Sequence, residues 1–220
     1  MESDSFQDIL RRIEKERAWI ARSIFDLEDT DLLPRSGWAT LHHDWDLYAK
    51  GYKDAADVLV SYVVDNDWDQ YLLIFPILFL YRQYLELRLK ELLFASSRLL
   101  RHPLPDNWQT HDLLQLWRDV RPKLDQIWPP SDDDSDLDSL ESRLQEIERV
   151  DPRGELGRYP VDRAGRSTAP EVKSVHLEKL RKVVQGMSHF LEGASTGIYE
   201  SLRARDEMLA EMQADLQGEW

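Results

Sequence analysis

Hydrophobic positions recur along this chain at steps of three and four, the mark of helices that bury one face. Phe6, Ile9, Leu10, Ile13, Ile20, Ile24 and Leu27 form the first such stripe, opened by Ser5 and Asp8 and broken by Leu32–Gly37. Trp38, Leu41, Trp45, Tyr48, Tyr52, Ala56, Leu59 and Val63 form the most regular one, with Gly51 the point where it would divide into two helices. Tyr71–Phe94 differs in kind. It is apolar on nearly every side, which predicts a helix at the centre of a bundle, with Pro76 inside or kinking its first turns. Residues 96–109 hold two prolines and predict a connection. Thr110 is placed to cap a helix carrying Leu113, Leu114, Leu116 and Trp117, which Pro122 and Pro129-Pro130 would close.

Beyond an acidic loop at 131–138, Leu137, Leu140, Leu144 and Ile147 mark a short helix. Residues 151–170, with three glycines and three prolines, predict irregular backbone. Leu180, Val183, Met187 and Phe190 give one further helical face. Tyr199, Leu202, Leu209, Met212 and Leu216 give another beyond Gly193 and Gly197. No segment shows the period-two alternation of strands. The fold class is therefore all-α: a helical bundle over 67–220 ending in a C-terminal helix, preceded by a helical extension over 1–66.

Composition narrows the function. A chain of 220 residues buries roughly 70% of its unfolded surface and needs no covalent staples. It has no cysteine, which removes thiol catalysis and Cys-based metal sites and fits a reducing, cytoplasmic setting. The opening residues are charged throughout, unlike a secretory leader, and the apolar run Tyr71–Tyr81 is eleven residues, too short to span a membrane. The net charge of −14 argues against general binding of nucleic acid by charge neutralisation, while leaving room for a local basic site.

Metal and cofactor readings find little purchase. In the acidic loop the sixth and twelfth positions from Asp132 are Leu137 and Arg143, and from Asp134 they are Ser139 and Gln145, so no EF-hand register fits. His42-His43-Asp44-x-Asp46 lies on the polar side of a helix, where adjacent side chains diverge by about 100°. His111-Asp112 resembles the doublet of HD-type phosphohydrolases, but it opens a helix where theirs closes one. No metal or cofactor is expected.

Two charged sets stand out. Arg82, Glu86 and Lys90 share one face of the central apolar segment, where unpaired charge is costly, so they form either a structural network or an inner polar pocket. Arg153, Arg158, Arg163 and Arg166 outnumber Glu155 and Asp162 in a long loop of an acidic chain. They are placed to hold phosphate or carboxylate, or to neutralise neighbouring acids.

The helix bearing YRQYLELRLKELL, followed by a loop and THDLLQLW, is similar to the HEPN superfamily of small helical bundles over about residues 68–192. Glu86 and Lys90 match its Glu-x-x-x-Lys pair, and His111-Asp112-Leu113 match the triplet that opens its next helix. The first part also looks like an N-terminal addition in some bacterial relatives, where a GYKDAADVL-like helix precedes the core. The resemblance implies a cytoplasmic homodimer in a toxin–antitoxin, CRISPR or phage-defence setting, and often a metal-independent ribonuclease. The family's catalytic signature is Arg, a polar residue, and a His after four to six intervening residues. Arg158-Tyr159 match its start, but the His positions hold Arg163, Ala164 and Gly165. Arg98 to His102 is too short, and Arg35 to His42 lies outside the matched region. The expected function is binding of RNA, a nucleotide or a protein partner by a bundle with an incomplete nuclease site. Arg82, Glu86, Lys90, His111, Arg158 and Tyr159 would form the ligand site, with Arg158 and His111 the only catalytic candidates. The alternative is a non-catalytic interaction module that contacts its partner through the Trp38–Tyr52 stripe or the Tyr199–Leu216 helix. An active ribonuclease with a divergent site is the third reading.

Overall fold

A computed structural model describes residues 44–66, 70–129, 135–152, 154–162, 164–168 and 174–218. The stripe from Phe6 to Leu27, Trp38, Leu41, His42, His43, the acids at 132–134, Arg153 and Arg163 lie outside the described residues. Those described form five helices and no strand: α1 Trp45–Asp65, α2 Gln70–Leu100, α3 Leu113–Ile127, α4 Ser135–Val150 and α5 Leu177–Gly218. All fall within one compact unit, His42–Trp220. None of these helices is long and apolar enough to cross a membrane.

Helix α2 is the axis. Tyr84, Leu85, Leu89, Leu92 and Leu93 are fully buried over about half of its circumference, and the buried side chains of Glu86, Lys90 and Glu91 take up much of the rest. Pro76 stays within it. The missing N–H would have served the carbonyl of Leu72, whose residue is exposed, so water can take its place.

Helix α1, part of the extension read over 1–66, packs on this axis. The Asp44 side chain caps it, accepting from the Asp46 and Leu47 N–H groups at 2.8 and 3.3 Å. The helix runs unbroken through Gly51. Ala56 and Val63 of the predicted stripe are buried, but the face is turned toward Ala49 and Val60, which are also inside, while Tyr48 is exposed. Small residues at 49 and 56 let α1 close on α2, a preference that bulk alone hides. Trp45 and Tyr52 do turn inward, Trp45 against Phe94 at 5.5 Å and Tyr52 edge-on to Phe79 at 6.4 Å between ring centroids.

Three boundaries differ from expectation. The cap of α3 is Asp112, which accepts from the Gln115 N–H at 2.8 Å, while Thr110 Oγ1 accepts from the Asp112 N–H. Asp is the better cap once Thr110 has fixed the preceding turn. Pro122 sits inside α3 on its solvent side, on the same face as exposed Arg118 one turn earlier, whose carbonyl can bond water in place of the missing N–H, so helix α3 continues to Ile127. Helix α5 is continuous through Gly193 and Gly197, because its buried seam of Leu191, Ser195, Ile198 and Leu202 never breaks. A Cβ at Gly197 would lie 2.8 Å from the Trp128 ring, so glycine lets α5 meet the end of α3.

Candidate functional site

The loop after α4 is fastened to α2 at two glycines. Gly154 has φ of +66°, and a Cβ there would come within 2.7 Å of Arg82 Nη1. A Cβ at Gly157 would lie 2.5 Å from the Phe79 Cβ and 2.7 Å from the Phe75 carbonyl oxygen. Asp151 folds the turn by accepting from the Glu155 and Leu156 N–H groups at 2.8 and 3.2 Å.

Beneath this turn Arg82, only 5% exposed, joins four parts of the chain. Its Nε donates to the Asp151 carbonyl at 3.1 Å and its Nη2 to the His111 carbonyl at 2.8 Å. Its longer ion pairs reach Glu86 and Glu148 at 3.4 Å and the Asp151 carboxylate at 3.6 Å. Lys90 Nζ donates to Glu86 Oε1 at 2.8 Å, and the same oxygen lies 2.9 Å from His111 Nδ1. Arg82, Glu86, Lys90 and His111 are thus one connected cluster. An ionised carboxylate only accepts, so Nδ1 carries the proton and Nε2 is the basic nitrogen of an imidazole whose side chain is 61% exposed.

Two obligate cations, Arg82 and Lys90, face three carboxylates, Glu86, Glu148 and Asp151. The surplus falls on Glu148. Burial pushes its carboxyl up to about 7, helped by Asp112 and Asp151, against the pull of Arg82 and the Leu113 N–H. Glu148 was not among the residues the sequence singled out. The available signal was a carboxylate four residues after Leu144 on the buried side of α4.

Arg158 and Tyr159 belong to the same loop but stand outside the cluster. Arg158 donates from Nε to the Gly154 carbonyl at 2.8 Å, and its guanidinium lies 5.8 Å from the centroids of the Phe79 and Tyr159 rings. It is exposed and pairs with no carboxylate among the described residues. Arg166 behaves differently: Asp162 takes its backbone N–H and its guanidinium, and these hold the Asp162 carboxyl below its ordinary value. Arg82 also walls a cleft of about 430 Å³ between α2, α4 and the start of α5. Glu86, Lys90, His111, Arg158 and Tyr159 do not line it.

A second buried set centres on Arg88, also missed from sequence. It bonds Glu91 at 2.6 Å and Asp46 at 2.5 Å, and Glu91 in turn accepts from Ser195 at 2.7 Å, tying α1, α2 and α5 together. Among the described residues no group of three His, Asp or Glu side chains is arranged to hold a metal ion. Comparison with protein-family models, curated proteins and solved structures finds no match to this chain.

Proposed function

We propose that this chain is a HEPN-like, cytoplasmic helical bundle of a defence or toxin–antitoxin-type system, acting as a homodimer, that binds RNA or a nucleotide beside the Arg82 cluster. The observation that carries this reading is Arg158. It is an exposed guanidinium without a carboxylate partner among the described residues, in a chain of net charge −14, lying 5.8 Å from the ring centroids of Phe79 and an exposed Tyr159. Such a pairing offers a phosphate contact next to a ring on which a base can stack. Arg82 is spent on the protein's own carbonyls and carboxylates. Its part is to hold the loop in place.

The test is fluorescence anisotropy with a short labelled single-stranded RNA. Arg158→Ala is expected to weaken binding about ten-fold and Tyr159→Ala by a similar factor, from a stacking contribution of about 1–3 kcal/mol per base. Unchanged affinity in Arg158→Ala would overturn the reading.

One observation favours a second reading, a metal-independent ribonuclease with a divergent site. Glu86 orients His111 and leaves its other nitrogen toward solvent, the arrangement a general base needs. The interaction-module reading draws on Met208, Leu209 and Met212, exposed near the end of α5.

A further inference from the structure

The cleft walled by Arg82 has a chemistry that the RNA-binding reading does not use. Its floor is aliphatic, made by Leu78 of α2, Ile147 of α4, Leu156 of the loop, and Leu180 and Val183 of α5. No Phe, Tyr or Trp lines it, and its one aromatic ring among the described residues is the exposed His176, so it offers little of the stacking surface by which proteins hold nucleobases. At about 430 Å³ it falls within the range of sites for small molecules.

Its rim is charged in one sense. The acids there are already satisfied: Glu146 pairs with Arg143 at 2.6 Å, and Asp151 takes the Arg82 guanidinium and two loop N–H groups. Arg149 and Lys179 have no side-chain hydrogen bond or ion pair to any described residue. The spare charge at the mouth of an aliphatic cleft is therefore positive, on a protein that is otherwise strongly acidic. Two unpaired cations above an apolar floor complement an amphipathic anion: the chain replaces water along the floor, and the head group pairs at the rim.

We infer that this cleft binds an aliphatic chain carrying a single carboxylate or phosphate head, with Arg149 and Lys179 as the contacts to the head group. The site is independent of the surface at Arg158 and stands or falls without it. It predicts selectivity in two directions, since the floor reads chain length and the rim reads charge.

The experiment is isothermal titration calorimetry of the full chain with octanoate, octyl phosphate, hexanoate, octanol and adenosine monophosphate. Octanoate or octyl phosphate is expected to bind with one-to-one stoichiometry, the tighter of the two identifying the head group. Removing two methylenes should weaken binding about fifteen-fold, as each buried CH₂ contributes roughly a factor of four. Octanol should bind at least ten-fold more weakly than the preferred anion. The double variant Arg149→Glu/Lys179→Glu reverses charge at exposed positions, and it should keep its melting temperature while losing at least ten-fold in affinity for the anions. Val183→Trp, which fills the floor, should abolish binding. The inference is overturned by any of three results: neither anion binds saturably, the charge-reversed variant binds as well as the wild type, or adenosine monophosphate binds more tightly than both.

Discussion

Two arginines six residues apart on α2 are both nearly inaccessible to solvent, and they are held in opposite ways. Arg88 is held by carboxylates, Glu91 of its own helix at 2.6 Å and Asp46 of α1 at 2.5 Å, and Glu91 is bonded in turn by Ser195 of α5. Arg82 makes its shortest bonds to backbone carbonyls, at 2.8 and 3.1 Å, and its ion pairs are longer, at 3.4 to 3.6 Å. The first arrangement fastens helix to helix. The second fastens connecting segments to a helix, fixing the approach to α3 and the loop that carries Arg158. A buried cation bonded to carbonyls has no apolar substitute, because those carbonyls would be left unsatisfied. A compact ion pair often does have one.

That contrast can be broken most forcefully at Arg82. Arg82→Ala leaves buried Glu86 and Glu148 and half-buried Asp151 with Lys90 as their one obligate cation, and should cost about 3–5 kcal/mol in denaturant unfolding. Hydrogen exchange should rise at 110–114 and 154–162 before it rises in α1. Arg88→Ala should cost about 3 kcal/mol, near the lower end, because Asp46 can turn to water. Its exchange signature should appear at the start of α1. Arg88→Met with Glu91→Leu should recover most of that loss, whereas no apolar replacement of Arg82 and Glu86 should. Recovery at both sites would erase the distinction.

Glu148 sharpens it by pH. The unfolded carboxyl loses its proton near 4.5 and the folded one near 7, so between these values the folded state holds the extra proton. This group's contribution to stability therefore falls as pH rises from about 4.5 to 7 and is level outside that window. Glu148→Gln should flatten that part of the stability profile, and an unchanged profile would contradict the charge surplus assigned to the cluster. The mildest test is Gly157→Ala, where the new Cβ must push the loop from the backbone of α2 at a cost of about 1–3 kcal/mol. RNA binding should weaken with it, since Arg158 moves as the loop moves.

The all-helical class and the central place of α2 were legible because periodicity reports burial directly. The ladder of Arg82, Glu86 and Lys90 was legible for the same reason, as charges in an apolar segment must find partners. What sequence hid was the partner side. Glu148 and Asp151 lie 66 and 69 residues from Arg82, and no local pattern states which helix a buried carboxylate will meet. The turn of α1 toward Ala49 and Val60 was hidden because the larger Trp45, Tyr48 and Tyr52 dominate the periodic count. Arg88 and Glu91 were hidden by looking solvated, three residues apart in a segment already assigned one polar ladder. The glycines at 154 and 157 could be read as loop formers, but their use as points of contact with α2 depends on the fold.

On the proposed function, the loop over Arg82 presents a binding surface without a working nuclease centre. Incubation of total RNA with the purified protein in EDTA tests it most directly, wild type beside Arg158→Ala and His111→Ala. No cleavage is expected by any of the three, with RNA binding retained by the wild type and His111→Ala but weakened in Arg158→Ala. Cleavage by the wild type that disappears in both variants would contradict it and would make His111, oriented by Glu86, the base of a metal-independent ribonuclease.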